Sequence, residues 1–328
     1  MTKVLSVIVP SYNASNFLKE DIPFFLDDRV VDDIEIIIVN DGSKDDTLKT
    51  AQKFCSEYPE TIICIDKENG GHGSTINAGV GIARGKYFKV VDADDWVDTD
   101  AFVEFVKYLD HVNTDLVVAP YTAVFTNKHS EEVRCQYDFE LGKEYDFNRV
   151  CLELNGYSMH AVTYKTVLVQ KQHELTEKCF YVDMEYICNP IKDIETVSFF
   201  NKSVYQYRLG DVEQSVSIKN RQKYRNMQKR VTLNVLTLLD DQTLSVEKRQ
   251  FLERMTGLLI ENQTDTLLSF GPNRSIKSEL FVFYSDIQKI NDSILNKVKG
   301  KKVNLLRKYG EKIYYPLALA VKITRTYH

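Results

Sequence analysis

Asp92-Ala93-Asp94-Asp95 sets carboxylates one residue apart immediately after the apolar run 87–91. In extended backbone, residues two apart point the same way, so Asp92 and Asp94 can face one point in space. Left unpaired they repel, and one of them takes up a proton. A divalent cation removes that conflict, and hard oxygen ligands suit Mg2+ or Mn2+. The tetrad also reads as a solvated turn whose aspartates cap a helix over 97–109, a role open to Asp95 and Asp98.

The elements that would position these carboxylates follow from the spacing of apolar residues. Short runs at 5–9, 34–39, 61–65, 87–91 and 116–119 have the length and composition of buried strands. Between them lie segments of helical spacing: 17–26, interrupted at Pro23, then 45–57, 75–83 and 102–109. The alternation predicts an α/β fold with a mainly parallel sheet flanked by helices. In such sheets ligands bind beyond the carboxyl ends of the strands. Residues 10–12, Asp41, the glycine turn 69–73 and residues 92–94 all fall there. Four polar loops therefore converge on one rim, which suits a nucleotide or a similar anionic ligand.

Beyond residue 121 the alternation weakens. The pattern predicts a hairpin over 122–134, a helix over 148–154, a strand or helix start over 164–170, and a helix from 181 to near Pro190. Strands follow at 196–200 and 204–207. From 219 onward the spacing is helical, over 224–240, 245–268 and 275–299. The expected division is a catalytic domain, 1–218, and a helical region, 219–328.

The 328 residues carry 43% apolar side chains, enough for a packed core, and a formal net charge of −5, which argues against a nucleic-acid partner. The six cysteines are scattered, with no pair at zinc-site spacing, so reduced thiols of a cytoplasmic protein are expected. No signal peptide precedes the first strand, and no apolar stretch approaches the roughly 20 residues of a membrane span.

Val9-Pro10-Ser11-Tyr12-Asn13, Val39-Asn40-Asp41-Gly42-Ser43, Asn69-Gly70-Gly71 and Val91-Asp92-Ala93-Asp94-Asp95 occur in that order. Together they resemble the nucleotide-sugar half of family-2 glycosyltransferases with the GT-A fold, a Rossmann-like architecture typical of bacterial capsule, exopolysaccharide and teichoic acid synthesis. The resemblance is dense over 4–110, thinner to 218 and absent beyond. It implies inverting, metal-dependent transfer of a hexose or N-acetylhexosamine from a UDP-sugar to a glycan or lipid-linked oligosaccharide, with Mn2+ or Mg2+ as cofactor. It further implies that Pro10, Tyr12 and Asp41 contact the base, that Asn69 and Gly71 let backbone approach the nucleotide, and that Asp92 and Ala93 lie against the donor. Asp92 and Asp94 would hold the metal.

One departure stands out. Many members carry Arg-Asn after the glycine turn, whereas this chain has Ile76-Asn77. Asn77 is retained; the arginine's contact must come from elsewhere, and His72 is a candidate at the diphosphate. Arg208 and Ser215 resemble the segment that closes over the diphosphate. On the acceptor side, Tyr181-Val182-Asp183 resembles the family's acidic pair with Val182 in place of glutamate. Asp183 is then the implied general base, with Glu185 the runner-up and a helix-capping aspartate the structural alternative. His160 falls near the expected acceptor cleft without an assigned role.

Two readings from other classes remain. A nucleotidyltransferase would want a glycine-rich loop with a basic residue where Pro10-Ser11-Tyr12-Asn13 stands. A catalytically silent scaffold would show decay of the acidic sites, yet Asp41, Asp92, Asp94 and Asp183 are all present. Finally, residues 297–328 hold nine basic side chains against one acid, Glu311. Such a segment can lie on the anionic inner face of a bacterial plasma membrane, pack on its own domain, or meet a second copy in a homo-oligomer.

Overall fold

The structure, a computed structural model, describes residues 3–127, 129–135, 139–155, 157–210 and 217–326, with side chains to Thr324. The chain divides into two compact units, Met1–Gly210 and Asp211–His328, the break falling ahead of the change of pattern read at 218.

The first unit opens with β1 (Leu5–Ser11), α1 (Ser15–Asp21), β2 (Ile34–Asp41), α2 (Thr47–Glu57), β3 (Ile62–Lys67), α3 (His72–Ile82) and β4 (Tyr87–Val90). It continues through β5 (Trp96–Val97), α4 (Thr99–His111), β6 (Leu116–Val118), β7 (Tyr121–Phe125), β8 (Ser130–Val133), β9 (Tyr145–Asp146) and α5 (Phe147–Val150). It closes with β10 (Val162–Lys165), α6 (Thr166–Val169), α7 (Asp183–Cys188), β11 (Thr196–Phe199) and β12 (Tyr205–Leu209). The hairpin read over 122–134 is β7 and β8, paired antiparallel from Tyr121↔Val133. The ambiguous stretch 164–170 is both things at once, the end of β10 and then α6.

Eight strands form the main sheet in the order β3-β2-β1-β4-β10-β6-β11-β9. β1, β2, β3 and β4 are parallel, as are β6 and β11, while β10 runs antiparallel between β4 and β6. Every residue of β1 and β2 is buried, so both read as dominantly apolar runs, broken only at Ser6, whose hydroxyl donates to Glu35, and at Glu35 itself, before their polar ends. Pro10 is tolerated in β1 because it lies past the last pairing with β4, Ile8↔Val90, where that ladder has already ended. A second, four-stranded sheet has the order β5-β12-β7-β8.

The helical unit comprises α8 (Ile218–Lys223), α9 (Arg225–Thr237), α10 (Val246–Leu268), α11 (Arg274–Ile290), α12 (Ile294–Lys297), α13 (Lys301–Tyr309) and α14 (Tyr314–Thr326). Ser245 and Asn273 cap α10 and α11 by accepting the backbone N–H groups of Lys248 and Ile276. The single helix expected over 275–299 is instead broken. The Asn291 side chain accepts from the Ser293 N–H and hydroxyl, a local turn that competes with helix continuation. None of the six cysteines is joined in a disulfide.

Lys89 is the one charged residue in the run 87–91, and it is 1% exposed. Its ammonium donates to the carbonyls of His160 at 2.8 Å and Val162 at 3.3 Å, joining β4 to β10 where backbone pairing has stopped at Phe88↔Tyr164. Burial pulls its pKa down to about 7. Between that value and the ordinary lysine range, the unfolded chain holds a proton that the folded chain lacks, so stability rises with pH across this window. From about pH 7 to about pH 9 the wild-type unfolding free energy should gain roughly 2 kcal/mol from this group alone. Urea unfolding of Lys89→Met should lack that rise; an equal rise in both proteins would mean the ammonium is well solvated.

Candidate active site

The strand order changes direction between β1 and β4, and a ligand crevice opens at the carboxyl ends on either side of such a switch. The loops that leave β1, β2 and β3 are tied together there. Asn13, at φ 51°, donates its N–H to Ser43 Oγ at 2.9 Å and accepts the Lys44 N–H through its side chain at 2.8 Å. Asp41, at the end of β2, accepts the N–H groups of Gly70 and Gly71, both at 2.8 Å, and the Lys67 ammonium at 3.1 Å. Its carbonyl accepts the Asn69 amide at 2.9 Å. Asp41 and Asn69, expected at the nucleotide, thus have a prior task in bracing the glycine turn. Tyr12 stands 50% exposed at the crevice edge.

The acidic turn follows β4. Asp95 is buried and both its oxygens are engaged: Oδ2 accepts the Tyr205 hydroxyl at 2.5 Å and Oδ1 the Arg208 N–H at 2.7 Å. The same tyrosine oxygen accepts the Asp92 N–H at 3.3 Å. Asp98, not Asp95, caps α4, accepting the Ala101 N–H at 2.9 Å. The Arg208 guanidinium, expected at a phosphate, donates to the Asp94 carbonyl at 2.6 Å and to the Asp21 carboxylate at 3.0 Å. It lies over the rings of Trp96 and Phe17 at 4.6 and 5.3 Å. Arg208 therefore holds the acidic turn from behind. Ala93 is buried within that turn, and Ser215 lies outside the described residues.

Asp92 and Asp94 are left facing outward from this brace. Asp92 Oδ1 bonds His72 Nε2 at 2.7 Å. Burial works against charge on both, yet the pairing raises His72 above its ordinary pKa and holds Asp92 below its own. No side chain among the described residues donates to the Asp94 carboxylate, and burial with the neighbouring Asp92 charge lifts it to about 6. Asp183 opens α7; burial raises its pKa, His72 counteracts and Asp92 adds to the rise. Sequence reading from distant stretches therefore converges: His72, Asp92, Asp94 and Asp183 share one electrostatic neighbourhood.

Glu185, the runner-up base, is 3% exposed and accepts the Thr176 N–H and hydroxyl, each at 2.8 Å. Asn77, expected at the donor, bonds the backbone of Leu175 at both ends of its amide, at 3.0 and 2.8 Å. The glycine turn is open for the same segment. A Cβ on Gly71, at φ 82°, would sit 3.2 Å from the Lys178 backbone, and one on Gly73 would sit 2.5 Å from the Thr176 carbonyl. These residues clamp the 175–178 segment against α3, and that clamp places the start of α7.

His160 is the functional candidate that the sequence located without explaining. Its ring stacks on Tyr207 at 4.1 Å and meets Tyr205 and Tyr121 at 4.7 and 5.0 Å. Burial drives its pKa down to about 4, so the ring is neutral, and its buried Nδ1 has no hydrogen-bond partner. Ligand atoms of Asp92, Asp95 and His160 lie within 4.8 Å of one another. The sequence paired Asp92 with Asp94 as ligands and gave the imidazole, which arrives from the irregular stretch before β10, no role. Of these three, Asp95 already accepts from Tyr205 and Arg208, so the groups left to a divalent cation are an Asp92 oxygen and the neutral His160 ring; the Asp94 carboxylate accepts no side-chain donor among the described residues but is not within that cluster.

With the geometry in place, comparison with known proteins is informative. The profile of the family described as Glycosyl transferase family 2 matches residues 6–169, half of the chain. Glycosyltransferase GlyA of Streptococcus pneumoniae serotype 4 is 27% identical over 218 residues, 62% of this chain and 30% of that protein. The minor teichoic acid biosynthesis protein GgaB of Bacillus subtilis is 34% identical over 118 residues, 35% of this chain and 13% of that protein. These alignments thus span less than a third of either relative. The fold is also that of Staphylococcus aureus TarS 1–349 in complex with UDP-GlcNAc, at a TM-score of 0.70 and 16% identity, over 98% of this chain and 91% of that one. A sheet with its switch point, an acidic turn at the crevice and a profile match across half the sequence agree: the chain belongs to glycosyl transferase family 2.

Proposed function

We propose that this chain is an inverting glycosyltransferase that moves a hexose or N-acetylhexosamine from a UDP-sugar to a glycan hydroxyl in cell-surface polysaccharide or glycoconjugate synthesis. The observation that carries the reading is Asp183. A carboxylate from a remote helix reaches the same crevice as Asp92 and Asp94, and its burial makes it a stronger proton acceptor than a solvated aspartate. The family match and the shared fold with TarS, seen with UDP-GlcNAc, support a nucleotide-sugar donor.

In this scheme Asp183 takes the proton of the acceptor hydroxyl as that oxygen bonds the anomeric carbon. The bond from that carbon to the UDP oxygen breaks, and its electron pair leaves with UDP. Attack opposite the leaving group inverts the anomeric centre. His72, whose protonated form Asp92 favours, would add positive charge where the diphosphate would lie. Asp94 and Asp92 are the proposed ligands of Mg2+ or Mn2+, with His160 alongside; the ion would supply Lewis-acid neutralisation of phosphate charge. Asp95, Tyr205 and Arg208 keep the ligand-bearing turn in shape.

The donor assignment is tested by incubating the protein with a panel of UDP- and GDP-sugars and Mn2+ and measuring nucleotide release by hydrolysis. One UDP-sugar should be cleaved above the rest, with the rate lost to a chelator; cleavage only of GDP-sugars would overturn the donor class. For the base, Asp183→Asn should slow transfer by roughly 10²–10⁴-fold while UDP affinity and melting temperature stay near wild type. A parallel loss of UDP binding would make Asp183 structural. Glu185→Ala should behave differently, lowering stability by about 2 kcal/mol in thermal melts because Thr176 loses its buried acceptor.

A further inference from the structure

We propose that the outer faces of α13 and α14 form a docking surface for an anionic lipid bilayer. In α14, Tyr314, Ala318 and Val321 turn into the helical unit, while Tyr315, Leu319 and Ile323 are 41%, 48% and 47% exposed. Their four-residue spacing puts the exposed three on one stripe of the helix. α13 repeats the division with charge added. Val303 and Leu306 are buried, and Leu305 and Tyr309, 38% and 49% exposed, share their face with Lys301 and Lys308. The Lys308 ammonium stands 5.1 Å over the Tyr309 ring.

Six of the basic residues of this region separate into two sets. Lys297 pairs with Glu253 and Lys302 with Asp265, while Arg307 donates to Asn296. These brace the helices internally. Lys301, Lys308 and Lys312 are exposed and pair with no carboxylate among the described residues. Glu311, the only acid here, is itself neutralised by Lys277 of α11 at 2.6 Å. What remains outward is apolar and aromatic surface interleaved with positive charge.

That combination selects the occupant. A face shared by two copies of the chain would bring the same lysines together about the symmetry axis, which costs free energy. A bilayer with acidic headgroups neutralises the lysines and takes up the leucine, isoleucine and tyrosine side chains at the interface. No helix among the described residues is long and apolar enough to cross a membrane, so contact would be along the surface. The inference stands on this surface alone and needs neither the donor nor the acceptor assignment.

The test is flotation of the full chain with phosphatidylcholine vesicles and with vesicles of equal parts phosphatidylcholine and phosphatidylglycerol. The protein should rise with the anionic vesicles only, and high salt should release it. Neutralising Lys301, Lys308 and Lys312 to Gln together should cut partitioning by roughly a hundredfold, at about 1 kcal/mol per charge removed. The pair Leu319→Glu and Ile323→Glu should abolish flotation. Both variants should keep wild-type melting temperature and UDP-sugar hydrolysis, which shows that they fold. Wild-type protein that stays down with anionic vesicles, or variants that float as it does, overturns the proposal. So does a wild-type dimer that the variants reduce to monomer without any flotation, which would assign the face to contact between copies. Donor hydrolysis needs no bilayer, so a failure here leaves the transfer reading intact, and the reverse holds.

Discussion

The crevice depends on keeping a buried acidic turn folded without neutralising the groups that must act. Asp95 meets that constraint: buried, it gives one oxygen to the Tyr205 hydroxyl and the other to the Arg208 N–H. Burial and the nearby Asp94 and Asp92 charges push its pKa far up, so the turn would loosen were those donors absent. Arg208 completes the brace from behind by holding the Asp94 carbonyl and Asp21. Apart from His72 on Asp92, these donors lie on the inner side. Asp92 reaches the crevice paired only with His72, and Asp94 stays uncompensated beside it, which is the condition under which a cation or a charged partner is favoured.

Much of this was legible in the sequence, because parallel strands buried on both faces are dominantly apolar and end at polar loops. The runs 5–9, 34–39 and 87–91 became β1, β2 and β4, and the loops after them form the rim. Asp183 could be located from a resemblance that depends on only a few residues. The second sheet and the insertion of antiparallel β10 were not legible. β5 and β9 are two residues each, too short for any periodicity, and β10 is specified by neighbours far away in the chain. His160 falls in such a stretch, so nothing local announces that its ring will be enclosed by three tyrosines.

Polar residues near the crevice were the harder problem, since residue type does not tell whether a group serves a ligand or the chain itself. Arg208, Asn77 and Glu185 all look like ligand contacts by chemistry. In the structure each satisfies a buried backbone or carboxylate group that would otherwise be orphaned. Gly71 shows the same ambiguity for backbone: its open side admits the Lys178 main chain. The common cause is that a rim built from loops carries many unpaired N–H and C=O groups, and these take up the first polar side chains within reach. Function then falls to the polar groups left over.

The same reasoning separates the two kinds of charge in this chain. At the crevice, Asp92, Asp94, Asp183 and His72 are held in or near low-dielectric surroundings, where interactions are strong and little screened by salt. On α13 and the turn after it, Lys301, Lys308 and Lys312 stand in water, where a Debye length of about 10 Å at 0.1 M salt weakens any one attraction. A surface of that kind is effective only when many charges act at once against an extended partner, whereas a buried cluster can act on a single diphosphate. Under the two proposals burial suits each set to its scale of partner, a small ligand for the carboxylates and a broad lipid surface for the lysines.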